Sequence, residues 1–301
     1  MDIARPPIHQ IAARPKAVLP IAEMVVGLEA NDVADLLPRV FNLCRAAQSL
    51  AARAAMGLPL ATHAAEDLRR DILRDHVVKV CLKWPPALGL APIALPQGWL
   101  DDLSQMREVL FGPQRAMPRT AQAFWAFISE AEGGLGPVLG AVKAAFDPHV
   151  ACTQVLPLAR PETVMARFPQ ENTVAARHAR HPVMKAIAQD YGRGPLWRAT
   201  AIALDMESCV NETLPAWTKR PDEVVVVPAA RGLYAIEVRV EQGRIKRFRR
   251  VTPTDHLLVS GGVLDQSLAS LDRPVDHPLM TLLLDILDPC IPLELREVGY
   301  A

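Results

Sequence analysis

The chain has 301 residues, about half of them apolar, enough to bury a large core in one big domain or two small ones. Lys plus Arg and Asp plus Glu number 33 each, so no net charge argues for nucleic acid or a membrane surface as a partner. No run of eighteen apolar residues is present, and the opening "MDIARPPIHQIAARPK" carries prolines and charges where a secretory signal needs an apolar stretch, so the expected location is the cytoplasm. The five cysteines (Cys44, Cys81, Cys152, Cys209 and Cys290) are odd in number, far apart and form no C-x-x-C pair. That usage argues against a disulfide framework and against a zinc finger; a metal bound by any of them needs distant segments brought together.

Ala-rich segments with a 3.6-residue apolar period predict helices over roughly 30–56, 62–83, 100–111, 118–146, 173–190, 195–215 and 277–287. The Pro-rich "KWPPALGLAPIALPQGW", Lys83 to Trp99, reads as an extended crossing between helices. From Glu223 the run "EVVVVPAARGLYAIEVRVEQGRIKRFRRVTPT" alternates apolar and polar residues on both sides of "EQGR", which predicts a hairpin turning near Gln242 and Gly243. The fold class expected is therefore α+β and mainly α, with a small antiparallel sheet near the C-terminus, and 1–301 reads as a single domain. Alternation within the hairpin makes the basic "RIKRFRR", Arg244 to Arg250, the solvated face of a strand pair and a surface suited to an acidic partner, in preference to a nucleic-acid site.

Four places carry chemistry. Cys44 lies near the start of an Ala-rich helix, where free N–H groups and the helix dipole favour a thiolate; the ordinary alternative is a small buried hydrophobe. Cys290 follows Asp288 and Pro289 at the end of the last helix, where proline leaves it on a short turn, less natural for filler. Arg231 stands before Gly232 at a strand entrance, a spot where a fixed guanidinium can offer several donors to an anion. Thr254 follows Pro253 immediately after the second hairpin strand and can present a hydroxyl. Viewed singly, a surface arginine and a turn threonine are the simpler readings of the last two. Cys81, Cys152 and Cys209 read as core packing.

Taken in order, these four pieces resemble the large subunit of nickel–iron hydrogenases. That family carries R-x-C-G-x-C-x-x-x-H and, near its C-terminus, D-P-C-x-x-C-x-x-H, whose four cysteines hold nickel and iron. Here "RVFNLCRAAQ" keeps Arg39 and Cys44, with Phe41 at the first cysteine, Asn42 at the glycine and Gln48 at the histidine. "DPCIPLELR" keeps Asp288, Pro289 and Cys290, with Leu293 and Arg296 at the second cysteine and the histidine. "VVGLEAN" around Glu29, "LRRDILRDHVVKV" around His76 and "ENTVAARHARHPVMKAIAQDYGRGPLWRATAIALDMES" extend the resemblance over most of the chain. So do "PAARGL", where Arg231 matches and Pro228 replaces a glutamate, and "VTPT", where Thr254 falls on the residue that donates to a cyanide ligand. The family's opening strand and its early R-I-E-G-H glutamate find no counterpart before Glu23. His76 is placed near the site by the resemblance, although an ordinary hydrogen-bonded histidine is the simpler role.

A nickel–iron centre needs four thiolates, and Phe41 and Leu293 put apolar bulk where two of them belong, so nickel is not expected and hydrogen activation there is chemically implausible. The resemblance puts Cys44 at a bridging position and Cys290 at a nickel-terminal one, and implies that both serve an iron carried as Fe(CN)2CO. Such an iron(II) with two thiolates bears a charge of about −2, which Arg231 and the Pro253–Thr254 segment would stabilise. The implied type is the hydrogenase accessory protein of the HupK/HoxV kind, a non-catalytic scaffold that holds the iron fragment transiently during assembly. The implied partners are a HypC-type chaperone with its maturation complex and the hydrogenase large subunit, with no nucleic acid and no membrane. The missing C-terminal histidine and the five residues after Arg296 imply that no removable tail is cut off. Two alternatives stay open: a metal-free interaction or chaperone module on the same fold, and a redox enzyme.

Overall fold

The structure is a computed structural model that describes residues 10–16, 19–41 and 43–298. Asn42, the residue at the motif's glycine position, and most of the N-terminal stretch read for targeting lie outside them. A strand that the sequence reading lacks opens the described chain: β1 (Ile11–Pro15) runs antiparallel to β6 (Leu293–Glu297), Ile11 opposite Glu297 and Pro15 opposite Leu293. Its short "IAARP" has little alternation of its own, and its partner lies at the other end of the chain, so no local signal marks it.

The helical bulk follows. After α1 (Ile21–Val25), the segment expected as one helix over 30–56 divides into α2 (Ala30–Val40) and α3 (Arg45–Ala55). Pro38 sits in the last turn of α2, and Cys44 takes a left-handed conformation at φ 56°, which a helix cannot continue through. Next come α4 (Ala64–Val77), a π-turn over Val78–Lys83, α5 (Trp84–Ala87) and α6 (Leu103–Phe111). The expected 118–146 helix breaks at Gly134 (φ 68°) into α7 (Ala121–Glu130) and α8 (Leu135–Ala145), and 173–190 breaks before Pro182 into α9 (Ala175–His178) and α10 (Pro182–Asp190).

The central helix is α11 (Pro195–Val210), buried on every side except at Ser208. A helix so enclosed must pair its charges, and it does. Arg198 meets Glu171 at 2.7 Å; Asp205 meets His76, His178 and Arg177 at 2.9, 2.8 and 3.2 Å; Glu207 accepts from the Met117 N–H at 3.0 Å and from Arg119 at 2.8 Å.

The sheet has four strands, in the order β2 (Thr218–Lys219), β3 (Val225–Ala229), β4 (Gly232–Glu241) and β5 (Arg244–Val251), all antiparallel. The β4–β5 turn falls on Gln242 and Gly243, both at positive φ (51° and 78°), the backbone that matches strand twist in a two-residue hairpin. A second two-residue turn, Ala230–Arg231, joins β3 to β4, with Ala229 opposite Gly232. Gly232 (φ 144°) allows that corner to close on its neighbour, because a Cβ there would lie 2.0 Å from the Asn172 carbonyl oxygen. The sheet rests on α3, and Thr252 then starts α12 (Pro253–Leu257) through a capping box with Asp255. The chain ends through α13 (Val263–Leu271), α14 (Pro278–Leu287) and a turn into β6. The buried apolar residues form one large cluster reaching from Ile21 to Leu287, with a small satellite around Val164. The expected α+β class, mainly α with antiparallel sheet, is what the chain adopts. Among the described residues no helix is long and apolar enough to cross a membrane.

Candidate functional site

Cys44 caps the N-terminal end of α3 in its left-handed conformation, an uncommon state for a residue with a Cβ and one found where the surroundings over-determine it. That geometry presents the sulfur to the β3–β4 corner, where Arg231 Nη1 lies 3.5 Å from Cys44 Sγ. The expected preference for a thiolate is reversed. Burial raises the Cys44 pKa above the ordinary thiol value, and the attraction of Arg231 offsets only part of that. A metal that takes this sulfur must therefore displace its proton.

Cys290 is set by the other end of the chain. Asp288 ends α14 at φ 51°, Pro289 prevents the helix from resuming, and Cys290 turns back toward α12. There Thr254 grips it twice: the threonine hydroxyl donates to Cys290 Sγ at 2.9 Å and accepts from the Cys290 N–H at 3.0 Å. Thr254 is itself buried, and Pro253, as the first residue of α12, aims it with the φ a helix start requires.

Arg231 is nine-tenths buried and fixed from behind. Its Nε donates to the Asp288 backbone oxygen at 3.1 Å and lies 2.7 Å from Asp288 Oδ2, while Nη2 is 3.7 Å from Asp75 Oδ1. The same two carboxylates hold Lys79, from the π-turn, at 2.5 Å (Asp288) and 3.2 Å (Asp75). Although burial works to raise it, the Asp75 pKa lies below the usual carboxylate value because Lys79 and Arg231 stand beside it.

All five residues singled out in the sequence (Cys44, Cys290, Arg231, Pro253 and Thr254) line one cavity of about 390 Å³. Phe41 lines it too, with the Arg250 guanidinium 4.0 Å above its ring. Leu293 does not: it lies in β6 opposite Pro15, so only one of the two apolar replacements reaches the cavity. Gln48, one turn along α3 from Cys44, is buried in the wall, and its carboxamide oxygen has no hydrogen-bond partner among the described residues. Cys44 also borders a second cavity of about 180 Å³, on the side of Asp71 and Asp75.

His76 is not in the cavity; it is fully buried against Asp205 and serves the charge pairing of α11. Glu29 is half-exposed and pairs with Arg244 at 2.6 Å, away from the cysteines. Cys81 and Cys209 are buried in the core, where burial pushes Cys81 up to about 12; Cys152 is half-buried against the Gly192–Gly194 loop, at about 11. Sequence reasoning missed Asp75 and Lys79 as neighbours of the site. Their one visible signal was an acid and a base four residues apart beside His76. Chemically, the cavity offers two soft sulfur ligands, a guanidinium and a hydroxyl donor, and no imidazole among its described lining residues.

No protein-family model matches the chain. In sequence it is 40% identical over 291 residues to the hydrogenase expression/formation protein HupK of Rhodobacter capsulatus, across 97% of this chain and 94% of that relative. In structure it is similar to the Ni-Fe-Se hydrogenase of D. vulgaris Hildenborough in its as-isolated oxidized state, with a TM-score of 0.57, 12% identity and 91% of both chains covered. The reduced, active Ni-Fe-Se hydrogenase of Desulfomicrobium baculatum gives a TM-score of 0.55 at 11% identity, over 91% of this chain and 92% of that one. An NAD+-reducing NiFe hydrogenase gives 0.51 at 14% identity, over 91% and 90%. At such identities the likeness shows the fold, which is that of the hydrogenase large subunit.

Proposed function

Since this chain belongs to the family of the hydrogenase expression/formation protein HupK, we propose that it is a non-catalytic scaffold whose cargo is the Fe(CN)2CO fragment of a nickel–iron hydrogenase. Its role in hydrogenase formation follows from the family; the cargo is what the resemblance to the hydrogenase large subunit implies, and the donors of the cavity support it. The observation that carries the reading is that two thiols remote in sequence share one cavity, each already touched by a donor of the kind a cyanide nitrogen would accept from.

The donor set fits such a cargo. Two sulfurs are too few for a closed structural metal site, which takes four protein ligands, but they suit an iron that brings three diatomic ligands of its own. On loading, Cys44 and Cys290 would give up their protons and bind iron, and the Thr254 hydroxyl would turn from Cys290 Sγ toward a cyanide. Arg231 Nη1, which lies 3.5 Å from Cys44 Sγ, would donate to the other cyanide. The apolar wall at Phe41 offers no ligand atom for nickel, in keeping with a carrier of the iron half alone. The reading implies cytoplasmic partners: a HypC-type chaperone that hands the fragment over, and the large subunit that receives it.

The test is infrared spectroscopy of protein purified without oxygen from a host with an intact hydrogenase assembly system, together with iron and nickel counts. Wild-type protein should show cyanide and carbonyl stretches, about one iron per chain and no nickel. Cys44→Ser or Cys290→Ser should each abolish the bands. Bands that persist in both variants refute the ligand assignment, and wild-type protein free of iron refutes the cargo.

A further inference from the structure

Lysine is almost never fully buried without a partner, and Lys79 is only 7% exposed. It projects from the second position of the π-turn, a local widening of the helix often found at functional sites. Its ammonium bridges Asp288 and Asp75, the same pair that holds Arg231. Four charges, two of each sign, thus meet beside the cavity. Arg231 and not Lys79 lines the cavity. Asp288 lies two residues before Cys290 in the turn that ends α14, so whatever anchors Asp288 anchors the sulfur.

We propose that Lys79 is a positioning residue of the site: by holding Asp288 and Asp75 it fixes the turn that carries Cys290 and leaves the Arg231 cation available to the anionic iron–thiolate centre that forms when the site is loaded. The charge part rests on the cargo reading above; the positioning of Cys290 stands without it. Without Lys79, two carboxylates would face a single guanidinium, leaving a net negative charge beside a cavity whose loaded iron centre, its two cysteine thiolates included, would carry about −2, and buried like charges are poorly screened. Asp288 would at the same time lose one of its two cationic partners.

The experiment uses the full chain with Lys79→Met and Lys79→Arg, and reads two quantities. The first is iron content and the cyanide stretches of anaerobically purified protein; the second is peptide-resolved maleimide labelling of Cys290 in metal-free protein. Loss of such an outer-shell partner is expected to weaken iron retention about 10–100-fold in K79M, with displaced cyanide stretches in the fraction that stays loaded. Loss of a charge-assisted hydrogen bond to Asp288 should speed Cys290 labelling roughly tenfold. K79R should restore both. If K79M does not fold, Lys79→Gln, which keeps a donor without the charge, takes its place with the same expectations. Wild-type labelling and wild-type stretches in the neutral variant overturn the proposal. If wild-type protein proves free of iron, the cargo reading fails, and the Cys290 labelling rate alone decides the role of Lys79.

Discussion

Replacing Thr254 by valine keeps the shape of the side chain and removes one oxygen, which makes it the cleanest probe of the turn that presents Cys290. The hydroxyl makes two contacts there, donating to the sulfur at 2.9 Å and accepting from the Cys290 N–H at 3.0 Å. Valine loses the first and strands the second. A lost hydrogen bond is worth about 1 kcal/mol, and a stranded N–H costs about 1–3 kcal/mol when fully buried. The turn is part-buried, so the lower end applies and Thr254→Val should cost about 2 kcal/mol. Unfolding entropy for 301 residues is about 0.6 kcal/mol per kelvin, so the melting temperature should fall by about 3 °C. Thr254→Ser keeps the oxygen and gives up one methyl group, about 0.8 kcal/mol, or about 1 °C. Calorimetry measures both shifts, and hydrogen exchange at the Cys290 amide reports the contact directly: faster in T254V, unchanged in T254S. Equal melting temperatures and equal exchange in the two variants would refute the claim that the hydroxyl holds the turn.

Two further changes probe what surrounds the site. Burial alone would raise the Asp205 pKa, yet Arg177, His178 and His76 hold it far below the usual carboxylate range. Asp205→Asn leaves the buried Arg177 without its counter-charge and should cost about 3–5 kcal/mol at pH 7 in urea titrations. Because the folded pKa is depressed, the wild-type carboxylate stabilises above the unfolded value of 3.8 and loses that contribution as pH falls. The gap between the two proteins should therefore be about 1 kcal/mol smaller at pH 3, and an equal gap at both pH values speaks against an ionised Asp205. Gly232→Ala puts a methyl 2.0 Å from the Asn172 carbonyl at a positive φ, and should destabilise by about 3 kcal/mol or more while also displacing Arg231. A melting temperature at the wild-type value would show that the corner can open without cost.

Much of the fold is legible in the chain because its signals are local. The 3.6-residue period marks the long helices, and "EQGR" between alternating runs marks the hairpin, with positive φ at Gln242 and Gly243 where the turn demands it. Helix ends were less legible. The breaks at Cys44, Gly134 and Pro182 divide segments whose apolar periodicity runs on through them, and at Cys44 the cause is a left-handed residue with no glycine to announce it. The pairing of β1 with β6 joins the two ends of the described chain, and no window of sequence contains both.

The candidate site divides the same way. By itself the sequence determined which chemistry was on hand: two cysteines at helix boundaries, an arginine before a glycine and a threonine after a proline, each set by backbone rules that act over a few residues. Only the tertiary structure decided that these meet in one cavity, that Leu293 stays out of it, and that Lys79 and Asp75 stand behind Arg231. Burial decided the state of Cys44 as well, since desolvation depends on how much protein surrounds the sulfur, and that overruled the helix-end effect read from its neighbours. Electrostatics and cavity shape are sums over groups far apart in the chain, so they exist only once the chain has folded.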